Sequence, residues 1–365
     1  MADVQLQQRE DDRPWLRPSG LEVPALQIIM AANQPVILWG PPGEGKSATI
    51  ETLAELQNAH LEVLIGSQYS PTDIAGMAHV VGDRVEHIPP SWASRVVERG
   101  ETPSIIFFDE LDKCTQPVQN ACLRAIRERV VGHTHLPRSC RIVAAANPPH
   151  LGGWDLSAPM ANRLVHLQWQ LDMDSVLDGL ASGMWPLLTN LVYDESLRTR
   201  HMNKWRGIVA GFLQHRQDLV RHLPASEQTQ GKPWPSPRSW ETMASVMSVA
   251  DSVGVADNLT KILIVGCVGQ EVFMTMQPWL EPIRHLDPEA ILAAVDTYPL
   301  PEAASHLSVV IAATAAAVVS VPTQPRVDTA LRLYERIYRE GHKDLVQQGP
   351  RILSKLLQRH PELHM

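Results

Sequence analysis

Gln34-Pro-Val-Ile-Leu-Trp39 runs directly into Gly40-Pro41-Pro42-Gly43-Glu44-Gly45-Lys46-Ser47-Ala48. The apolar run shows no polar face, the pattern of a strand buried on both sides, and the glycines and prolines end it. A helix is expected from Lys46 to Asn58, so the stretch reads strand, tight turn, helix. The turn satisfies G-x-x-x-x-G-K-[ST] in the context that motif requires. Its glycines let backbone N–H groups approach phosphate oxygens, and the helix N-terminus favours their negative charge. Lys46 reaches the β and γ oxygens, and the Ser47 hydroxyl is a ligand for Mg2+. Gly40 through Ala48 are therefore the candidate binding loop for ATP with Mg2+.

Working outward, Leu61–Ile65, Ser104–Phe108, Arg141–Ala146 and Leu164–Trp169 are further strand candidates. A helix opened by Thr115 carries Val118, Ala121, Cys122, Ala125 and Ile126 at helical spacing. Strands alternating with helices imply an α/β fold with a mainly parallel, five-stranded sheet. The run Ile105-Ile-Phe-Phe108 ends in Asp109 and Glu110. Such a strand delivers Asp109 to the metal, directly or through water, and Glu110 is placed to accept a hydrogen bond from an attacking water. Asn147 ends the strand Arg141–Ala146; a neutral amide at that tip positions water without competing as a base.

Beyond residue 171 the period becomes helical: Trp205 to Leu213, Trp240 to Ala250 and Val327 to Tyr338 are amphipathic, while Asp257–Gln277 and Ser305–Val319 read as largely buried helix. The expected organisation is a polar leader over 1–21, an ATP-binding core over 22–170, a helical lid over 171–321 and a helical extension over 322–365. The longest apolar stretch, Leu307 to Val321, is interrupted by Ser308, Thr314 and Ser320 and falls short of the roughly 20 residues of a membrane span. It reads as a buried Ala-rich helix, with no membrane insertion.

Charge and cysteine usage narrow the partners. With 32 Lys and Arg against 40 Asp and Glu, the net charge of −8 lacks the basic excess of a dedicated nucleic-acid binder. The four cysteines form no CxxC pair in a chain of 365 residues, which fits a reducing, cytoplasmic setting. His133 and His135 lack a third ligand at metal spacing and read as solvent-facing hairpin residues.

The segments GPPGEGKS, IIFFDELDK, QNACLRAIRERVVG, IVAAANPP and LSAPMANRLVHL together resemble the AAA+ ATPases, and within them the MoxR-like family of the helix-2-insert clade. Ser70 to Gly76 resembles the entry to that clade's insert, and Val130 to Pro137 its pre-sensor-1 hairpin. The resemblance implies Walker A at Lys46 and Ser47, Walker B at Asp109 and Glu110, and sensor 1 at Asn147. Ser47 and Asp109 would hold the metal. Arg163 matches the arginine finger that acts on a neighbouring subunit, with Arg138 and Arg141 as nearby rivals. Ser236-Pro-Arg238-Ser-Trp240 resembles a sensor-2 motif, with Arg238 spanning lid to γ-phosphate. It further implies a ring, a hexamer in the family, that remodels a protein client, with a von Willebrand factor A domain protein as partner. A DNA- or RNA-translocating motor and a nucleotide-gated scaffold with little turnover are the alternative readings.

Overall fold

The computed structural model describes residues 20–151, 155–170, 172–183, 188–360 and 362–364. The proposed leader lies almost wholly outside the described residues. The strands are β1 Val36–Trp39, β2 His60–Ile65, β3 Met77–Val81, β4 Arg84–Ile88, β5 Ser104–Asp109, β6 Val130–Val131, β7 Thr134–His135, β8 Cys140–Ala146 and β9 Val165–Gln168. The first helices are α1 Glu22–Ala31, α2 Lys46–Leu56, α3 Pro71–Ala75, α4 Ser91–Glu98, α5 Gln116–Glu128 and α6 Ala158–Ala161. They continue with α7 Met173–Ser182, α8 Glu195–His215, α9 Glu227–Gln230, α10 Pro237–Val253, α11 Asp257–Val268 and α12 Gln270–Leu280. The last are α13 Pro288–Ala293, α14 Ala304–Ser320, α15 Gln324–Arg339, α16 Lys343–Val346 and α17 Gln348–Leu357.

Five strands form one parallel sheet in the order β2-β5-β8-β1-β9. Because side chains alternate along a strand, each central strand feeds two cores. Ile37, Trp39, Ile106, Phe108, Ala144 and Ala146 pack with α4, α5 and α6. Val36, Leu38, Ile105, Phe107, Val143 and Ala145 pack with α1, α2 and the helices beyond residue 171. Burial on both faces is why these strands are apolar without interruption.

The helical part shares that second core. Helices α8 and α14 approach closely because α8 carries glycines at the contact: a Cβ on Gly207 would lie 2.4 Å from the Ala313 Cβ, and one on Gly211 2.5 Å from Val309 Cγ2. The apolar stretch from Leu307 is thus the buried centre of the helical part. Among the described residues no helix is long and apolar enough to cross a membrane. The run Asp257–Gln277 is two helices, divided by Gly269 at φ 94°.

Two antiparallel hairpins form small sheets of their own, apart from the five-stranded one. Residues 130–135 form one, as expected, and β3 with β4 forms another that the sequence did not announce. All of β4 is exposed, so no buried stripe betrays it. His133 and His135 are exposed, and among the described residues no group of three or more His, Cys, Asp or Glu could hold a metal.

Candidate functional site

Trp39 ends β1, and the chain leaves the sheet at Gly40, whose N–H donates to the Ala146 carbonyl at 3.2 Å. A Cβ here would sit 2.6 Å from the Trp169 carbonyl oxygen, so a side chain at position 40 displaces the loop. Gly43 and Gly45 have φ of 85° and 71°, a region that L side chains rarely occupy. The loop is pinned from β9's exit: the Trp169 indole N–H donates to the Glu44 carbonyl at 3.0 Å. Pro41 is half-buried, Pro42 and Gly43 are exposed, and Ala48 lies half-buried in the first turn of α2.

Lys46 is 8% exposed, and its Nζ donates to the carbonyls of Gly40 at 2.6 Å and Pro41 at 2.8 Å. Burial lowers its pKa, while Asp109, Glu44 and Asp112 pull the other way. Burial also raises the Glu44 carboxyl, whose Oε2 is buried with no hydrogen-bond partner.

The neighbouring strand end brings the carboxylates. Asp109 Oδ2 accepts from Ser47 Oγ at 2.8 Å, and Asp109 Oδ1 accepts from the Glu110 N–H at 2.8 Å. A hard cation with octahedral oxygens at 2.0–2.1 Å separates adjacent ligands by about 2.9 Å. The Ser47 and Asp109 oxygens therefore stand as two neighbouring Mg2+ ligands would. Glu110 adopts a left-handed backbone, φ 54° and ψ 40°, uncommon for a residue with a Cβ. That kink turns the chain out of β5, and Glu110 Oε2 accepts from Ser67 Oγ at 2.5 Å. Gly66 permits the approach, since its Cβ would meet the Cys114 sulfur at 2.3 Å.

Asn147 stands one residue beyond β8. Its N–H donates to Asp112 Oδ1 at 3.0 Å, and its Nδ2 lies 3.4 Å from Asp112 Oδ2. Lys46, Ser47, Asp109, Glu110 and Asn147 thus converge where β1, β5 and β8 end. Sequence reasoning missed Ser67 and Asp112, although Asp112 lay in plain view two residues past Glu110.

The arginines lie elsewhere. Arg163 precedes β9, whose first residue Val165 is opposite Val36, the first residue of β1. It is therefore at the edge where strands begin, about 10 Å of strand away from the loop. Its Nη1 donates to the Pro159 carbonyl, and its Nε is buried without a partner. Burial lowers its pKa first, then the charges of Arg238 and Arg127.

A helix cap sets where Arg238 begins its helix. Ser236 caps α10, and its Oγ donates to Asn162 Oδ1 at 2.8 Å, while Asn162 Nδ2 donates to the Trp234 carbonyl at 3.0 Å. The cap thus fixes the start of α10, and Arg238 with it, against Asn162, the residue before Arg163. Arg141 has its Nη1 engaged by the Arg138 carbonyl at 3.0 Å, and Arg138 is exposed.

One buried histidine links the two ends. His166, on β9, accepts the Trp39 indole N–H at Nδ1 (3.0 Å) and donates from Nε2 to the Ala161 carbonyl (3.0 Å). Burial pushes its pKa down to about 4, so it is neutral at pH 7.

Residues 35–164 match the sequence profile of the AAA domain of the dynein-related subfamily. The chain is 24% identical over 307 residues to the ribosome biogenesis ATPase RIX7 of Saccharomyces cerevisiae, a match covering 76% of this chain. The match spans 33% of the yeast protein. A solved Cytophaga hutchinsonii protein catalogued as an ATPase candidate is 14% identical and superposes with a TM-score of 0.41, over 73% of this chain and 85% of that one. The matched profile spans β1 through Asn147 and Arg163, and residues 35–164, with their parallel five-stranded sheet and flanking helices, have the fold of an AAA+ domain.

Proposed function

We propose that the protein hydrolyses Mg-ATP in a ring of its own copies and uses the cycle to remodel a protein client, as MoxR-like ATPases do. The observation that carries this reading is the hydrogen-bonded chain from Ser47 through Asp109 to the Glu110 backbone, with Asn147 beside it. ATP binding would exchange the two loop carbonyls on Lys46 for phosphate oxygens. Ser47 and Asp109 would hold Mg2+, which neutralises charge on the phosphates. Glu110 would orient and deprotonate the attacking water, and Asn147 would hold that water in line. Release of Glu110 from Ser67 is then a step toward the competent site.

Arg163 and Arg238 together form the second half of the site, offered to the nucleotide of the neighbouring copy, where guanidinium groups neutralise developing charge. The family resemblance supports six copies and a von Willebrand factor A domain protein as client, in a cytoplasmic setting. The net charge of −8 favours a protein client over nucleic acid.

The test is phosphate release by the purified chain with Mg-ATP, read beside assembly size from light scattering. Turnover that rises with assembly is expected. An assembled protein that releases no phosphate, alone or with a protein partner, defeats the proposal; turnover driven by DNA or RNA and steeply weakened by salt reassigns the client.

A further inference from the structure

Asp112 sits in the short turn Leu111–Lys113 and is 0% exposed. Both of its oxygens face the residue just past the end of the adjacent strand: Oδ1 accepts from the Asn147 N–H at 3.0 Å, and Oδ2 faces Nδ2 at 3.4 Å. Lys113 Nζ stands 3.7 Å from Oδ2 and supplies the compensating charge. We infer that Asp112 is a positioning residue that fixes which end of the Asn147 amide faces the reacting phosphate. The inference rests on the function proposed above and adds a group to its machinery.

A carboxylate accepts hydrogen bonds and donates none, whereas a primary amide carries two donors at one end and an acceptor at the other. Only the NH2 end of Asn147 satisfies Asp112. A flipped amide would set two acceptors face to face in a buried place, leaving both unsatisfied. The Asn147 carbonyl oxygen is therefore turned away from Asp112 and is free to accept a hydrogen bond from the attacking water. The same carboxylate holds the Asn147 backbone, so the turn carrying Glu110 and the tip carrying Asn147 move as one piece. The strands beneath them pair directly, with Phe108 opposite Ala144.

The discriminating substitution is Asp112→Asn, nearly isosteric but able to donate as well as accept, so that the amide loses its fixed sense. The values of kcat and KM for ATP are compared in the parent, Asp112→Asn, Asn147→Ala and the double variant. Asp112→Asn is expected to lower kcat at least tenfold with KM within twofold of the parent. The double variant should be no more than twofold slower than Asn147→Ala alone, since the two residues act as a unit. A parent-like kcat in Asp112→Asn overturns the inference, as do losses that multiply in the double variant. A parent that binds ATP and never turns it over overturns the underlying function, which separates the two failures. If Asp112→Asn does not fold, hydrogen exchange of the parent's Asn147 side-chain amide, assigned by its loss in Asn147→Ala, decides. One proton is expected to exchange at least tenfold more slowly than its partner, and equal rates overturn the inference.

Discussion

The two ends of the parallel sheet are built on opposite terms. Where β1, β5 and β8 end, the reactive side chains are held: Lys46 by loop carbonyls, Ser47 by Asp109, Glu110 by Ser67 and Asn147 by Asp112. Where β1 and β9 begin, the charge of Arg238 acts on Arg163, and among the described residues neither has a carboxylate partner within ion-pair distance. Burial is the main cost at Arg163, the like charges of Arg238 and Arg127 add to it, and Glu128 offsets part. An arrangement that costs stability in one chain makes sense if an anion from another chain relieves it.

The largest test of that contrast is Arg163→Ala, expected to lower turnover roughly a thousandfold, as removal of a trans-acting arginine does. Mixing it with Lys46→Ala should restore part of the rate, because some neighbours then pair an intact loop with an intact arginine; a mixture as slow as its components breaks the comparison. Next is Glu110→Gln, expected to cost roughly a hundredfold in phosphate release while ATP affinity measured by calorimetry stays within a few-fold of the parent. Loss of ATP binding in that variant would place Glu110 in the holding apparatus, outside the chemistry.

A smaller effect concerns the link between the ends. Folded His166 titrates near 4 and an unfolded histidine near 6.5, so the unfolded chain takes up the proton first. Stability is therefore full above pH 6.5 and falls as pH drops from 6.5 toward 4, by about 2 kcal/mol between pH 7 and 5. Urea unfolding at the two pH values measures it, and His166→Gln should flatten the difference. Smallest is Trp169→Phe, which removes the indole donor from the Glu44 carbonyl and should cost about 1 kcal/mol in the same assay, with turnover little changed.

The contrast also explains what could be read in advance. The five sheet strands were legible because burial on both faces leaves uninterrupted apolar runs, and the ATP loop because its turn chemistry is local. Strand β9 came out one residue shorter at each end than Leu164–Trp169. The β3–β4 hairpin was not legible, since Met77, Val80, Val85 and Ile88 are all exposed and mixed with charged residues. Ser67 and Asp112 escaped because their partners lie 43 and 35 positions away, and only folding makes them neighbours. The place of Arg238 depends on the Ser236 cap meeting Asn162, a contact across 74 positions that no local pattern encodes.

The backbone at Glu110 has an evolutionary consequence. A left-handed residue bearing a Cβ carries about 1 kcal/mol of strain that glycine would relieve. Glu110→Gly should therefore yield a hardier protein that no longer turns over ATP, visible as a higher melting temperature beside lost phosphate release. Selection for robustness alone would drive this position toward glycine. If Glu110 activates the water as proposed, its glutamate is a place where the chain has traded endurance for work.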